Sequence, residues 1–233
     1  MRGSARVPGD IYRDLFAGSY IPRPLFGKND ELLRWVPRTD WIYLTTFNIP
    51  AHWNKVPMFS VNCKLMKVKA VLLNAQGLDT VADVYFNNLL VLQARNQFVP
   101  YLLALKCWKI GENTLRIEFK SPVLYAEQQA NNYQKQYGHI VPPFCPVPEF
   151  QGECHVNFMR KIQASFSWDW GPSFPTVGIW QPISIEGVET LHVGRISAEI
   201  SFQSNFSEFI KTFLTDIRIR PFTEFGIVWA VTQ

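Results

Sequence analysis

The sequence predicts a mainly β fold, a jelly-roll-like antiparallel β-sandwich with one inserted helix, and three observations carry that prediction. Apolar residues alternate with polar ones over many short runs, as in Trp41, Tyr43, Thr45, Phe47 and Ile49, which puts one face of each run against a core. Turn-forming residues separate these runs, and many short strands of this kind read as a sandwich. A single stretch departs from the two-residue period and carries helix caps at both ends: Ser121 before it, Pro122 at its first position and Gly138 after it.

In chain order, Asp10 to Phe16 reads as a short helix capped by Asp10 and stopped by Gly18, followed by a proline-punctuated loop from Ile21 to Gly27. Strands are expected near 41–49, 70–74, 81–86, 89–93, 114–119, 155–166, 178–185 and 191–202. Asn87-Asn88 is expected to form a tight hairpin, because asparagine tolerates positive φ. Pro57 to Lys69, by its Met and Lys content, reads more like added sequence than a paired strand, and Phe98-Val99-Pro100-Tyr101 is followed by an apolar run to Ile110. The tail from Phe222 to Trp229 is apolar, with no evident surface to pack against.

Composition bounds the function. With 233 residues, 47% hydrophobic and 15% aromatic, the chain can bury a sizeable core. A formal net charge of +4 without a basic run gives no footprint for nucleic acid, and no segment is long and apolar enough to span a membrane. The first residues, Met1 to Arg6, lack the apolar core of a secretory signal.

Cysteine usage points in two directions. Cys145 and Cys154 bracket a short, turn-rich loop that can close a disulfide in an oxidising compartment. A pair of free thiols, or zinc ligands together with His155 and His139, are the other readings. Zinc is disfavoured because no second cysteine pair stands at metal spacing. Cys63 and Cys107 lie in apolar surroundings and read as buried small hydrophobes. Asn205-Phe206-Ser207 is a glycosylation acceptor if the chain enters the secretory pathway.

The least ordinary stretch is Ser165 to Pro175, in which Asp169 stands between Trp168 and Trp170 and Gly171-Pro172 follows at once. Such a combination suits a sugar: an indole lies against the C–H face of a pyranose while an ionised carboxylate accepts hydrogen bonds from hydroxyls. If residues 166–170 are extended, both indoles point one way and Asp169 the other. The competing reading makes the indoles core residues and Asp169 a turn cap. Arg160-Lys161 could hold Asp169 ionised, or form a solvated strand face. His52, His139, His155 and His192 are scattered, with no nucleophile beside them.

The run SFSWDWGPSFPTVGIW is similar to the corresponding segment of the β-mannosidases of glycoside hydrolase family 2, which remove a terminal β-linked mannose from glycans. Val7-Pro8-Gly9-Asp10, Gly77-Leu78-Asp79-Thr80-Val81, Val84-Tyr85-Phe86-Asn87, Ser121 to Gln129 and Gly152 to Phe158 resemble the same family in the same order. The resemblance implies that residues 1–190 are the N-terminal, galactose-binding-domain-like sandwich and that 191–233 begin an immunoglobulin-like domain. It implies a Cys145–Cys154 bridge, a lysosomal setting, no cofactor, and a terminal β-mannoside as the ligand. It assigns Trp168, Asp169, Trp170, Gly171, Pro172, Ser173, Phe174, Pro175 and Thr176 to one side of the sugar pocket.

Family members carry a strand ahead of the Val-Pro-Gly segment, so a sandwich edge is expected to be missing here. Retaining glycosidases need two carboxyl groups about 5–5.5 Å apart. The family places both, as glutamates, on a following barrel, one of them after an asparagine; no Asn-Glu dipeptide occurs here, so no catalytic residue is expected in this chain. An improvised dyad of Asp169 with Glu149 or Glu153 is disfavoured, since nothing sets one carboxyl apart from the other. A stand-alone lectin-like module and a truncated, inactive product are the competing classes.

Overall fold

The structure, a computed structural model, describes residues 1–53, 71–168, 171–188, 192–202, 208–218 and 227–231, the last three stretches as backbone alone. The strands are β1 (Arg2–Ala5), β2 (Trp41–Ile49), β3 (Val71–Ala75), β4 (Ala82–Phe86), β5 (Leu89–Ala94), β6 (Tyr101–Leu105), β7 (Gly111–Phe119), β8 (Ile183–Gly187), β9 (His192–Phe202), β10 (Glu208–Arg218) and β11 (Ile227–Val231). The helices are α1 (Ile11–Ala17), α2 (Asn29–Leu32) and α3 (Pro122–Tyr137). A six-stranded sheet in the order β1-β11-β2-β7-β4-β5 faces a three-stranded sheet in the order β6-β3-β8, and β9 and β10 pair only with each other. This is the antiparallel sandwich the alternating runs predict.

The two sheets share one core. Trp41, Tyr43, Phe47 and Ile49 of β2 and Leu115, Ile117 and Phe119 of β7 meet Val71, Leu73 and Ile185 of the smaller sheet, all buried. The two-residue period of β2 is the direct cause, since every second side chain must face the same way. Trp41 closes the bottom of the core, and its indole N–H donates to the Val36 carbonyl at 2.9 Å. At fully burying positions, aromatic and branched side chains each contribute about 1.5–3 kcal/mol.

Both capped helices form as expected. The Asp10 carboxylate accepts from the backbone N–H groups of Tyr12 and Arg13 at the start of α1. Ser121 accepts from Leu124 N–H, and Gly138 ends α3 at φ 74°. Asn87 and Asn88 take positive φ in the β4–β5 hairpin. α3 covers a second small core of Val81, Val123, Ala126, Met159 and Phe166.

Several expectations fail. Residues 155–166 do not form a strand; they form single 3₁₀ turns at Val156–Phe158 and Gln163–Phe166, because their apolar residues serve the α3 core from a winding loop rather than from one pleated face. Tyr101–Leu105, which is not among the expected strands, pairs along its length with β3. The tail finds a place after all: Ile227–Val231 lies between β1 and β2, bonded to both. The strand expected to be missing ahead of Val7-Pro8-Gly9 is present as β1, which forms the edge of the larger sheet beside β11. The insertion at 57–69 lies outside the described residues.

Asp14 of α1 is buried under the first segment, where its carboxylate accepts from Arg6 N–H at 3.0 Å and from the Tyr43 hydroxyl at 3.3 Å. Burial pushes its carboxyl up to about 6 against those two hydrogen bonds. The folded chain therefore holds this proton more tightly than the unfolded one, and the group's contribution to stability is lost as pH rises toward 6. Relative to wild type, Asp14→Asn should gain stability between pH 4 and 6 by at most about 1.4 kcal/mol per pH unit, and show no further change above pH 7. Thermal unfolding of both proteins across that range checks it; a constant difference would contradict it.

Candidate saccharide-facing loop

The segment from Lys161 to Gly178 leaves the sandwich and returns to it, with the tryptophan-rich turn at its tip. Its base is set by Asp79. The backbone of Asp79 exchanges two hydrogen bonds with Gly178, at 2.9 and 3.0 Å, on one side. On the other side of the same segment, Gly9 N–H donates to the Ile179 carbonyl and Ile11 N–H to the Val177 carbonyl. The returning chain is thus gripped between the Val-Pro-Gly-Asp segment and the Gly-Leu-Asp-Thr segment. Gly178 sits at φ 151°, and a Cβ there would lie 3.0 Å from Asp10 Cα, the Gly9 carbonyl and the Tyr43 hydroxyl, so no side chain fits without displacing backbone.

The Asp79 carboxylate is the centre of a buried polar cluster. Lys161 Nζ donates to its two oxygens at 2.5 and 2.6 Å and to Thr176 Oγ1 at 3.1 Å, which uses all three ammonium protons. The Thr176 hydroxyl donates to Asp79 Oδ2 at 2.6 Å, and the Thr80 hydroxyl to Oδ1. Lys161 is 0% and Asp79 2% exposed. Burial pushes the Lys161 ammonium down, and the Asp79 carboxylate opposes that. Neither sequence reading of Lys161, as a partner of Asp169 or as a solvated face, describes it. Alternation along an expected strand obscured it; the signal that could have found it is the pairing of Lys161 with an aspartate in the distant Gly-Leu-Asp-Thr segment.

At the tip, Gly171 N–H donates to the Trp168 carbonyl at 2.5 Å and Ser167 Oγ to the Gly171 carbonyl at 3.0 Å, so the chain reverses between Trp168 and Gly171. Phe166 closes a 3₁₀ turn, so the run expected to be extended from 166 is not extended at its start, and positive φ falls on Ser167, at 111°, rather than on Gly171. Gly171 is needed for space instead, since a Cβ would press on the Trp168 carbonyl at 3.0 Å. Trp168 is 69% exposed. Asp169 and Trp170 lie outside the described residues.

The returning limb of the loop is held inward residue by residue. Pro172 is exposed, Ser173 and Pro175 are buried, and Phe174 stacks edge-on against Tyr12 of α1, ring centres 5.4 Å apart. Phe174 also walls two open grooves. One, of about 580 Å³, runs past Pro172 and Phe150 with Asp30, Glu31 and Glu149 on its sides. The other, of about 380 Å³, runs past Tyr12, Thr176 and Asp10 with Arg13 and Arg23 at its rim. Burial raises the Asp10 carboxyl against its two capping hydrogen bonds. Sequence reading did not place these acidic and aromatic groups together, because residues 24–31 and 149–151 are far from the loop in sequence.

The neighbouring loop is stapled on. Cys145 and Cys154 are disulfide-bonded, which removes both thiolates from any metal site; among the described residues, these two and His155 are the grouping of metal-ligand side-chain types. Cys107 is also disulfide-bonded and half-buried, contrary to the expectation of a buried free thiol, and Cys63 lies outside the described residues. Glu153 is buried and held by Arg34, at 3.0 Å, and Arg38, at 2.6 Å. Its N–H donates to the Phe166 carbonyl at 2.7 Å. A carboxylate committed to two guanidinium groups is an anchor, not half of an improvised dyad. His139 is exposed and contacts Tyr133 and Tyr137 of α3, while His155 starts a 3₁₀ turn. No helix among the described residues is long and apolar enough to cross a membrane.

This geometry is the setting for the comparisons with known proteins. Residues 2–181 match the glycosyl hydrolase 2 galactose-binding domain-like family, and the chain belongs to that family. It is 41% identical to a probable beta-mannosidase of Caenorhabditis elegans over 208 residues, 89% of this chain and 21% of that protein. It is 38% identical to the beta-mannosidase of Mus musculus over 192 residues, 81% of this chain and 20% of that protein. The chain thus spans about a fifth of the length of these relatives. The solved structure of beta-D-mannosidase from Dictyoglomus thermophilum shares the fold, with a TM-score of 0.68 over 96% of this chain and 28% of that one, at 24% identity.

The buried ion pair has a direct consequence for stability. Lys161→Met leaves the Asp79 carboxylate buried with only hydroxyl partners, and urea unfolding should show a loss of about 3–5 kcal/mol. A loss below about 1 kcal/mol would show that water reaches the carboxylate and that the cluster is not closed.

Proposed function

We propose that this chain is the saccharide-binding module of a β-mannosidase-type glycosidase and forms one side of a pocket for a terminal, non-reducing β-D-mannose. The observation that carries the reading is Trp168, a large apolar ring left 69% exposed at the tip of a loop whose base is tightly bonded. Leu25, 79% exposed, lines both grooves beside Phe174, and exposed apolar groups gathered around a groove, rather than scattered singly, mark a binding face. Asp169, next in sequence, supplies the acceptor for sugar hydroxyls, and Pro172 and Phe174 continue the wall. The remainder of the assigned segment, Trp170, Gly171, Ser173, Pro175 and Thr176, shapes and supports that side. Family membership and the beta-mannosidase relatives support the sugar class.

Hydrolysis is assigned to a pair of glutamates outside these 233 residues. Within them, Glu153 is committed to Arg34 and Arg38. The hairpin of β9 and β10, which pairs apart from both sheets, is the part of residues 191–233 that we assign to a second, immunoglobulin-like unit. Disulfides at Cys145–Cys154 and at Cys107 favour an oxidising setting, in keeping with a lysosomal or secreted glycosidase. Asn205, the acceptor that such a route would glycosylate, lies outside the described residues.

Titration calorimetry of the purified chain with mannose and a mannobiose tests the reading, alongside Asp169→Ala and release of nitrophenol from a β-mannoside. The wild-type chain should bind, Asp169→Ala should bind at least about tenfold more weakly, and neither should release nitrophenol; losing one charge-assisted hydrogen bond is worth about that factor. Equal binding by Asp169→Ala would remove the proposed acceptor. Turnover by the pure wild-type chain would overturn the assignment of catalysis elsewhere.

A further inference from the structure

We propose that Lys161 and Thr176 are positioning residues that close the neck of the tryptophan-bearing loop across the Asp79 carboxylate. The inference rests on the saccharide reading for what the loop presents, but not for the clamp itself. The two limbs of the loop start at Lys161 and end at Thr176, and the same carboxylate holds both: Lys161 Nζ lies 2.5 and 2.6 Å from its two oxygens, and Thr176 Oγ1 lies 2.6 Å from one of them. Lys161 also donates to Thr176 directly, at 3.1 Å, so the limbs touch each other as well as the shared anchor. Among the described residues, no other side-chain bond joins the limbs so near their base. Higher up, the ties are weaker and local: Phe174 N–H donates to the Ser165 carbonyl, and Ser173 Oγ reaches the same carbonyl at 3.5 Å.

Asp79 is well placed to act as a fixed point. Its own backbone is bonded to Gly178, and β4 begins three residues after it, inside the six-stranded sheet. The outgoing limb is fixed separately on both sides of Lys161: the Arg160 carbonyl accepts from Gln97 N–H at 2.9 Å, and Ile162 N–H donates to the Gln97 side-chain oxygen at 2.8 Å. The neck therefore has a rigid frame on both sides, and the polar cluster spans the gap between them. In a low-dielectric site an ion pair with every proton and lone pair engaged has one good geometry, and this makes it a locator rather than a source of net stability. Thr176, assigned by resemblance to the sugar pocket, directs its hydroxyl inward and serves the loop from beneath.

Hydrogen–deuterium exchange of the full chain without ligand tests the clamp. The variants are Thr176→Val, Thr176→Ser, and the charge-free pair Lys161→Met with Asp79→Asn. In Thr176→Val and in the pair, exchange across residues 163–176 should quicken at least tenfold, while residues 41–49 and 111–119 change less than twofold. Thr176→Ser keeps the hydroxyl and should keep the protection. If the charge-free pair does not fold, Thr176→Val alone carries the test, since it leaves the ion pair intact. Unchanged protection of 163–176 in Thr176→Val, or an equal rise in the loop and in both strands, would overturn the clamp. Mannoside affinity measured on the same samples separates the two claims: a wild-type chain that binds no mannoside contradicts the saccharide reading, and local loss of protection in Thr176→Val upholds the clamp whether or not the wild type binds.

Discussion

The Asp79 carboxylate is the one group on which both limbs of the loop depend. It is buried where the segment around residue 79 meets the two ends of the loop, at Lys161 and Thr176. Taking a carboxylate out of water costs several kcal/mol, and it is tolerated here because a lysine and two hydroxyls are directed at it. The arrangement makes the two limbs and the Asp79 segment interdependent: removing any one leaves charge or hydrogen-bonding capacity without a partner. Apolar packing could have joined them with less constraint on geometry. A cluster with one acceptable arrangement fixes where the loop emerges.

The same logic extends outward along the loop. Phe166 sits in the small core under α3, Glu153 N–H reaches the Phe166 carbonyl, and Glu153 itself is pinned by Arg34 and Arg38. The disulfide closes the segment that carries Glu153, and Gly152 passes so near Ser167 that a Cβ would come within 2.8 Å of its side chain. A rigid scaffold thus holds a loop on which an exposed indole stands, the usual division of labour between sheets and the loops that bind. The open grooves on either side of Phe174 belong to this same face, one flanked by carboxylates and the other by arginines.

Much of the fold was legible because it follows from short-range rules. The alternation in β2 gives its buried face directly, Ser121-Pro122 and Gly138 bracket α3, and Asn87-Asn88 marks a hairpin. What escaped was decided by long-range pairing. Tyr101–Leu105 is a strand because β3 needs a partner, and Ile227–Val231 is one because β1 and β2 leave a place between them; neither run announces this locally. Residues 155–166 misled in the opposite way, since apolar residues at intervals served a helix-covered core from a loop. At the site, the unusual composition around Trp168 was readable, whereas the role of Lys161 was not. A lysine looks like surface until its carboxylate is known, and that carboxylate is 82 residues away.

The central claim is that Asp79 and Lys161 act as one unit. A double-mutant cycle of Asp79→Asn, Lys161→Met and both together, read by urea unfolding, measures that directly. The account predicts a coupling energy above about 2 kcal/mol, with the double variant more stable than Lys161→Met alone. Additivity within about 0.5 kcal/mol would mean that the two side chains do not sense each other, and the loop would have to be held by something else.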